Sequence, residues 1–570
     1  TPDEVLQIDA SPANEYLDVE GMWGQVGGVE GAGAGVVVGV LDTGIAPENP
    51  LFAGEALGTT AGAEPYWSGT PSDAASRILF VKGDGQTFTG TCETGPGFTT
   101  DMCSTKIVGA QFFAAGALAD GFEFGSETQV PGEYLSPRDG DGHGSHTAST
   151  AAGNHDVPVT TEGGQDIGTM SGVAPEARIA AYKVCWSGTD PASTDDDACY
   201  GTDLLAGIEA ATSDKVDVIN FSIGGGAADS VAGPYDIAFL GAAAAGIFVS
   251  ASAGNSGPNP TTLDHASPWY ATVANTTIPN YEATITLPDD TRIPGASITV
   301  DMSEGAEPFS GPLVYAGDIP AEGASAADAA LCLPGSLATV EAGTIVFCDR
   351  GNNARVEKSE VVAAAGGAGM ILGNPTPSSI DLDDHAVPTV HIDAAYYEQV
   401  LAVAQAEPSE TVTFTAGNTS GIATAAPIVA ASSSRGPVEA DGNDVIKPDI
   451  AAPGTGIIAA GPNAPDAEGS FIFLSGTSMA APHIAGLAAV YLGANPLATP
   501  AEIKSAMMTT ATDTVDAAGA TNQDWFAQGA GFVEATSFLD AGVYYANGAS
   551  DWYGYLRGVG YELPDSWVGA

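Results

Sequence analysis

Residues 36–41 read VVVGVL, an unbroken apolar run rich in β-branched side chains and closed by Asp42. With apolar side chains at both parities, neither face of this segment can stand in water. The run therefore predicts a strand inside a parallel sheet. The same grammar recurs downstream. Residues 177–185 (ARIAAYKVC) read as a strand, 202–215 (TDLLAGIEAATSDK) as a helix and 216–225 (VDVINFSIGG) as a strand. Residues 234–246 read as a helix, and 246–257 (GIFVSASAGNSG) as a strand running into a loop. Strands alternating with helices predict the α/β class with a doubly wound parallel sheet. Functional side chains of such sheets collect beyond the carboxyl ends of the strands. Asp42, Ser222 and Asn255 all fall at such ends.

From about residue 276 to 424 the pattern changes to short strands, with one Ala/Gly-rich helix expected near 357–367. Strand–loop–helix grammar then returns. A chain of 570 residues is too long for one core. The expected organisation is a mainly-β domain (276–424) inserted between two parts of the α/β domain (1–275 and 425–545), followed by a C-terminal extension (546–570).

Fifteen Lys and Arg face 71 Asp and Glu, a formal charge of −56. That balance excludes nucleic acid and anionic membrane surfaces as partners, and no apolar run reaches transmembrane length. Two acidic clusters, 195–197 and 381–384, read as solvated loop acids rather than calcium ligands, which leaves any metal site unknown. Thr1 stands where a Met would start a chain, with no signal peptide before it, and is read as the start of a processed form. The six cysteines form close pairs, Cys92 with Cys103, Cys185 with Cys199, and Cys332 with Cys348, none at C-x-x-C spacing. Three local disulfides are the simplest account, and they imply an oxidising, extracellular compartment.

Residues 474–486 read LSGTSMAAPHIAG, three hydroxyls and a glycine leading into a helix expected from Met479 to Ala494. Ser478 sits where an N-cap would, and Pro482 is expected to be tolerated among the first, unpaired N–H groups. A second reading makes Ser478 a nucleophile whose neighbours are small so that a substrate can approach. That reading needs a base and an orienting acid. His143, in DGHGSHTAS at the start of a small-residue helix, is the candidate base, and Asp42 the hidden carboxylate. His483, inside the serine's own helix, reads as packing.

The segments VVVGVLDTGI, DGHGSHTAST, FVSASAGN and LSGTSMAAPHIAG, in that order, resemble the signature segments of the subtilisin-like serine proteases. The order Asp, His, Ser is that family's. The resemblance implies a secreted serine endopeptidase acting on proteins and peptides through an acyl-enzyme. Asp42 would orient His143, and His143 would take the proton of Ser478. Asn255 and the backbone N–H of Ser478 would hold the oxyanion. Ser222, Ile223 and Gly224 would pair with the substrate backbone, and Ala253 and Gly254 would line the pocket for the residue before the cut. The family preference there is broad, for apolar or aromatic residues. No cofactor is required for the chemistry. Structural calcium sites vary in the family, and no loop here matches one closely.

The insert resembles the protease-associated domain of plant-type and some bacterial subtilases, chiefly over residues 331–374, where Cys332 and Cys348 fit a family pair. Relatives use that domain for substrate selection, autoinhibition or self-association. Residues 540–567 resemble the linker after the catalytic domain, and the chain's own propeptide is an expected partner during maturation. Other readings fare worse. An aspartic protease needs a second DTG or DSG, a zinc hydrolase needs HExxH, and an esterase elbow needs G-x-S-x-G. The remaining alternative is a catalytically inactive relative that binds through the insert.

The charge balance makes a prediction. Most surface acids lack a basic partner, so their repulsion opposes the compact state. Salt shortens the screening length from about 10 Å at 0.1 M to about 3 Å at 1 M. Thermal stability should be retained or rise up to about 1 M NaCl, as suits a saline or alkaline extracellular setting. Melting curves in NaCl at fixed calcium check this, and a steady fall in melting temperature would contradict it.

Overall fold

The computed structural model describes residues 12–564 except 61, 63–64, 74, 128–131, 161–165, 191–195, 280, 302–306, 352, 379, 407–408, 443–444 and 464–468. Residues 1–11 and 565–570, at the two ends of the expected domains, and Asp195 of the first acidic cluster lie outside the described residues.

Along the first half of the chain run β1 (Val37–Asp42), β2 (Ile107–Phe112), α1 (His143–Ala152), β3 (Arg178–Lys183), α2 (Gly201–Asp214), β4 (Val218–Phe221), α3 (Pro234–Ala244), β5 (Phe248–Ser252) and β6 (Ala271–Thr276). Next come β7 (Glu282–Thr286), β8 (Arg292–Ala296), β9 (Phe309–Tyr315), β10 (Ile345–Asp349), β11 (Gly369–Gly373), β12 (Thr389–Ile392) and β13 (Thr411–Ala416), and then β14 (Ile450–Pro453) and α4 (Thr477–Ala494). One parallel sheet has the order β14-β6-β5-β4-β1-β3-β2, so the fold is α/β with the doubly wound sheet the alternation predicts. All six residues of β1 are buried, as a run apolar at both parities requires. Leu41 lies opposite Phe221, and Phe221 opposite Ala251, so the carboxyl ends of β1, β4 and β5 share one edge.

Helix α4 crosses this core almost wholly buried, which a helix apolar on every side must be. It packs closely because its contact residues are small. A Cβ at Gly486 would lie 2.7 Å from the Ala151 carbonyl oxygen of α1.

Strands β7 to β13 close into a separate barrel, order β7-β8-β12-β11-β10-β9-β13. Period-two alternation gives the barrel its two cores. Ile345 and Phe347 of β10 face the interior with Ile371, Val390 and Phe414, whereas Val346 and Cys348 pack with Val362 of the helix Arg355–Ala364. That helix lies near the expected one. A second helix, Ala394–Ala404, sits where the sequence reading has only strands. Asp393 caps it by accepting the Ala395 N–H at 2.9 Å, and Tyr397, Val400 and Ala404 form its buried face.

The acidic cluster 381–384 also departs from the reading. Asp381 is buried and paired with Arg350 at 2.9 Å and Arg355 at 3.3 Å, and Asp383 pairs with Arg355 at 2.6 Å. The cations come from another segment, so Asp381 and Asp383 are internal ties, whereas Asp384 is exposed as read. In the other cluster Asp196 and Asp197 accept the N–H groups of Asp190 and Gly188. Among the described residues no group of three or more His, Cys, Asp or Glu side chains could hold a metal ion.

All three cysteine pairs are disulfide-bonded, Cys92–Cys103, Cys185–Cys199 and Cys332–Cys348. No described helix is long and apolar enough to cross a membrane.

Helix α1 approaches β1 so closely that a Cβ at Gly144 would lie 2.5 Å from the Gly44 carbonyl oxygen and 2.8 Å from the Gly44 nitrogen. The contact is backbone and cannot give. Gly144→Ala should therefore destabilise the protein by about 1–3 kcal/mol, as overpacking does. Gly24→Ala, in a helix with open space around the added methyl, should be neutral or stabilising. Denaturant unfolding of the two variants checks the contrast.

Candidate active site

Asp42 ends β1, and His143 begins α1, which leans on that strand end. His143 Nδ1 lies 2.7 Å from Asp42 Oδ1. Two further donors hold the carboxylate, the Thr43 N–H to Oδ1 at 2.8 Å and the Thr147 hydroxyl to Oδ2 at 3.1 Å. The Asp42 side chain is 2% exposed and the imidazole 28%. The carboxylate is thus sealed while the imidazole keeps an open edge.

A buried neighbour organises this corner. Asp139 Oδ1 accepts from the Thr43 hydroxyl at 2.9 Å and the Gly142 N–H at 2.8 Å. Its Oδ2 accepts the N–H and hydroxyl of Ser145 at 2.8 and 2.6 Å. It thereby ties the loop before α1 to the end of β1. Gly142, at φ 106, caps α1, and a Cβ there would meet Pro462.

Burial by itself would lower the His143 pKa. The charge and hydrogen bond of Asp42, joined by the charges of Asp141 and Asp139, outweigh it and raise the value to about 9. Asp141 is raised to about 6, chiefly by burial and by Asp139.

Ser478 is not the cap of its helix. Helix α4 starts at Thr477 after Gly476, so Ser478 lies in the first turn, and its N–H is one of the four without an intrahelical partner. Pro482 is consequently the sixth helical residue, beyond the unpaired turn where the sequence reading puts it. Lacking an N–H, it leaves the carbonyl four residues back, that of Ser478, without its helical donor. The Ser222 hydroxyl fills that vacancy at 2.9 Å and itself accepts from Asn220 Nδ2 at 3.1 Å. In return Ser478 Oγ donates to the Ser222 carbonyl at 3.2 Å. Strand β4 ends at Phe221, short of the expected 225, so Ser222, Ile223 and Gly224 stand outside the sheet ladder.

Asn255 follows β5 and Ala253–Gly254. Its Oδ1 accepts the N–H and hydroxyl of Thr477 at 3.0 and 3.1 Å, which turns the amide Nδ2 to the other side. A Cβ at Gly476 would touch this side chain at 3.4 Å. His483 is buried with Nδ1 2.8 Å from the Met479 carbonyl, which is packing as read.

Asp42, His143, Ser222, Ile223 and Gly224 line one cleft of about 870 Å³, whose lining also includes the Cys185–Cys199 disulfide. The structure brings Asp42 to His143, and Ser222 and Asn255 to the Ser478 turn. Sequence reasoning missed Asp139, Asp141 and Thr147. Thr147 carried a usable signal, since it stands one helical turn after His143 on the same face.

The subtilase family model matches residues 33–531. The chain belongs to the subtilase family. Subtilisin-like protease SBT1.4 of Arabidopsis thaliana is 37% identical over 588 residues, covering 99% of this chain and 69% of that protein. Subtilisin-like protease SBT1.6 of the same plant is 36% identical over 590 residues, covering 98% of this chain and 70% of that one. Among solved structures the psychrophilic subtilisin-like protease Apa1 from the Antarctic psychrotroph Pseudoalteromonas sp. AS-11 aligns at 16% identity with a TM-score of 0.41. It covers 92% of this chain and 96% of its own. This subtilase is a serine endopeptidase, with proteins as its substrates.

The elevated His143 value makes a prediction. Only neutral imidazole accepts a proton, so kcat/KM should rise with pH through a limb lying above the ordinary value near ~6.5 and toward about 9. Asp141→Asn keeps an acceptor for the His143 N–H, now 2.9 Å from Asp141 Oδ1, and removes the charge. It should move the limb to lower pH. The pH dependence of kcat/KM for both proteins checks this, and an unmoved limb would deny Asp141 its electrostatic role.

Proposed function

We propose that Ser478 attacks the scissile carbonyl of a peptide bond while His143 takes its proton and Asp42 orients and stabilises the resulting imidazolium. The observation that carries this reading is the sealed Asp42 carboxylate 2.7 Å from an imidazole open to the cleft. The serine turns its hydroxyl from the Ser222 carbonyl to His143 as substrate binds, since such contacts tighten only in the loaded enzyme. The tetrahedral oxyanion lies between the Ser478 N–H and Asn255 Nδ2, whose aim the two Thr477 donors support. Collapse of that intermediate expels the amine, protonated by His143, and leaves an acyl-enzyme that water hydrolyses by the same steps reversed.

The substrate backbone lies along Ser222–Gly224, whose peptide groups the sheet leaves outside its ladder. The barrel is read as the protease-associated domain. Its support is that residues 331–374 span β10, β11 and the Cys332–Cys348 disulfide. Secretion is supported by the three disulfides, and the propeptide by family membership.

Ser478→Ala should abolish peptide hydrolysis and labelling by a fluorophosphonate while leaving the melting curve unchanged. Retention of more than about a tenth of the activity would remove Ser478 as nucleophile. Asn255→Ala should lower kcat about 10²–10³-fold with little change in KM, because the oxyanion exists only in the transition state.

A further inference from the structure

The residue whose carbonyl is attacked must send its side chain into whatever depression adjoins the reacting carbon. Two glycines stand close to the residues that hold the Ser478 turn, and one of them, Gly224, lines the cleft. Gly224 is two residues beyond Ser222, the hydrogen-bond partner of Ser478, and Gly254 immediately precedes Asn255. The Asp264 carboxylate lies between them. A Cβ at Gly254 would stand 2.6 Å from Asp264 Cγ, and one at Gly224 would overlap Asp264 Oδ2. The Asp264 N–H donates to the Ala253 carbonyl at 3.0 Å, fixing the acid against the segment that leads to Asn255.

This carboxylate has no partner of its own sign-complement. Asp264 Oδ1 is buried without a hydrogen bond, and among the described residues Asp264 makes no ion pair. The described cleft lining contains no Lys or Arg. His265, next in sequence, is committed elsewhere, with Nδ1 2.6 Å from the Ser252 carbonyl and its ring edge-on to Phe221 and Tyr270. Burial raises the Asp264 pKa, opposed by His265 and by the backbone of Gly226 and Gly225.

We propose that Asp264 is a specificity residue that makes this protease cut after lysine and arginine. The inference rests on the nucleophile and oxyanion assignment above, which fixes the side of Ser478 on which the acyl residue lies. An apolar side chain entering the slot would strip water from the carboxylate and return no hydrogen bond. A lysine or arginine lays its methylenes along the cleft beside Gly224, which has no side chain of its own, and brings its donors to the Asp264 carboxylate. The family's broad apolar preference then fails here because a charge occupies the slot that apolar side chains would fill.

The test uses the full chain and fluorogenic peptides that differ only in the residue before the cleaved bond: Arg, Lys, Leu, Phe or Ala. Wild type, Asp264→Asn and Asp264→Gly are each titrated with a fluorophosphonate, so that rates refer to folded, reactive sites. Wild type should favour Arg and Lys over Leu and Phe by at least ~10²-fold in kcat/KM, and both variants should lose most of that ratio. A wild type that favours Leu or Phe overturns the proposal, as does one that favours Ala because the carboxylate merely shortens the slot. An Arg-to-Leu ratio unchanged in Asp264→Asn also overturns it. Absence of fluorophosphonate labelling in the wild type would instead bring down the nucleophile assignment.

Discussion

Leu41, Phe221 and Ala251 lie abreast in three adjacent parallel strands, so the chain leaves all three strands at one edge of the sheet. Everything else at the site follows from that alignment. Asp42 ends the first strand, Ser222 follows the second, and Ala253–Asn255 follow the third. Two helices then enter from the same edge, α1 carrying His143 and α4 carrying Ser478. Their approach is set by glycine rather than by long side chains. A Cβ at Gly144, Gly476 or Gly486 would press on Gly44, Asn255 or Ala151 respectively.

Helix α4 is held to the strand ends by its own irregularity. Pro482 removes the donor that would have satisfied the Ser478 carbonyl, and Ser222 supplies another from the neighbouring strand end. A helical hydrogen bond would have tied the Ser478 peptide only to its own helix. The replacement ties it to the strand end at Ser222, so the proposed nucleophile and the proposed substrate platform share one frame. Asn255 does the same from the other side through Thr477.

The charge distribution has an inside and an outside. Of the fifteen basic residues, seven (Lys82, Lys106, Arg138, Lys183, Lys358, Arg435 and Lys447) are buried. Several of them tie internal acids or carbonyls, as Lys447 does at Asp449 and Lys106 at the Pro175 and Ala177 carbonyls. Burial lowers the Lys106 pKa to about 7 and, against the pull of Asp449, the Lys447 pKa to about 7. Among the described residues six carboxylates (Asp42, Glu133, Asp139, Asp203, Asp381 and Asp449) are buried as well, so the interior is nearly balanced and the acidic excess lies outside it.

The amino-acid sequence by itself determined the α/β class, the three disulfide pairs and the family, because each is written locally. A strand buried on both faces, cysteines a dozen or so residues apart and a helix start each need only a short segment to be recognised. Asp42, His143, Ser478 and Asn255 were legible as candidates for the same reason, each standing at the end of a predicted element. The helix Ala394–Ala404 was legible in principle through its Asp393 cap and its i, i+3, i+7 apolar face, but its tyrosines and valines also suit strands. Tertiary structure alone decided the rest. Asp381 reads as one of three loop acids until Arg350 and Arg355 are folded against it. Asp139 is one more loop acid until Thr43 and Ser145 converge on it. Asp264 acquires meaning only between Gly224 and Gly254, forty and ten residues upstream. A charge is defined by what surrounds it, and for these three the surroundings come from distant parts of the chain.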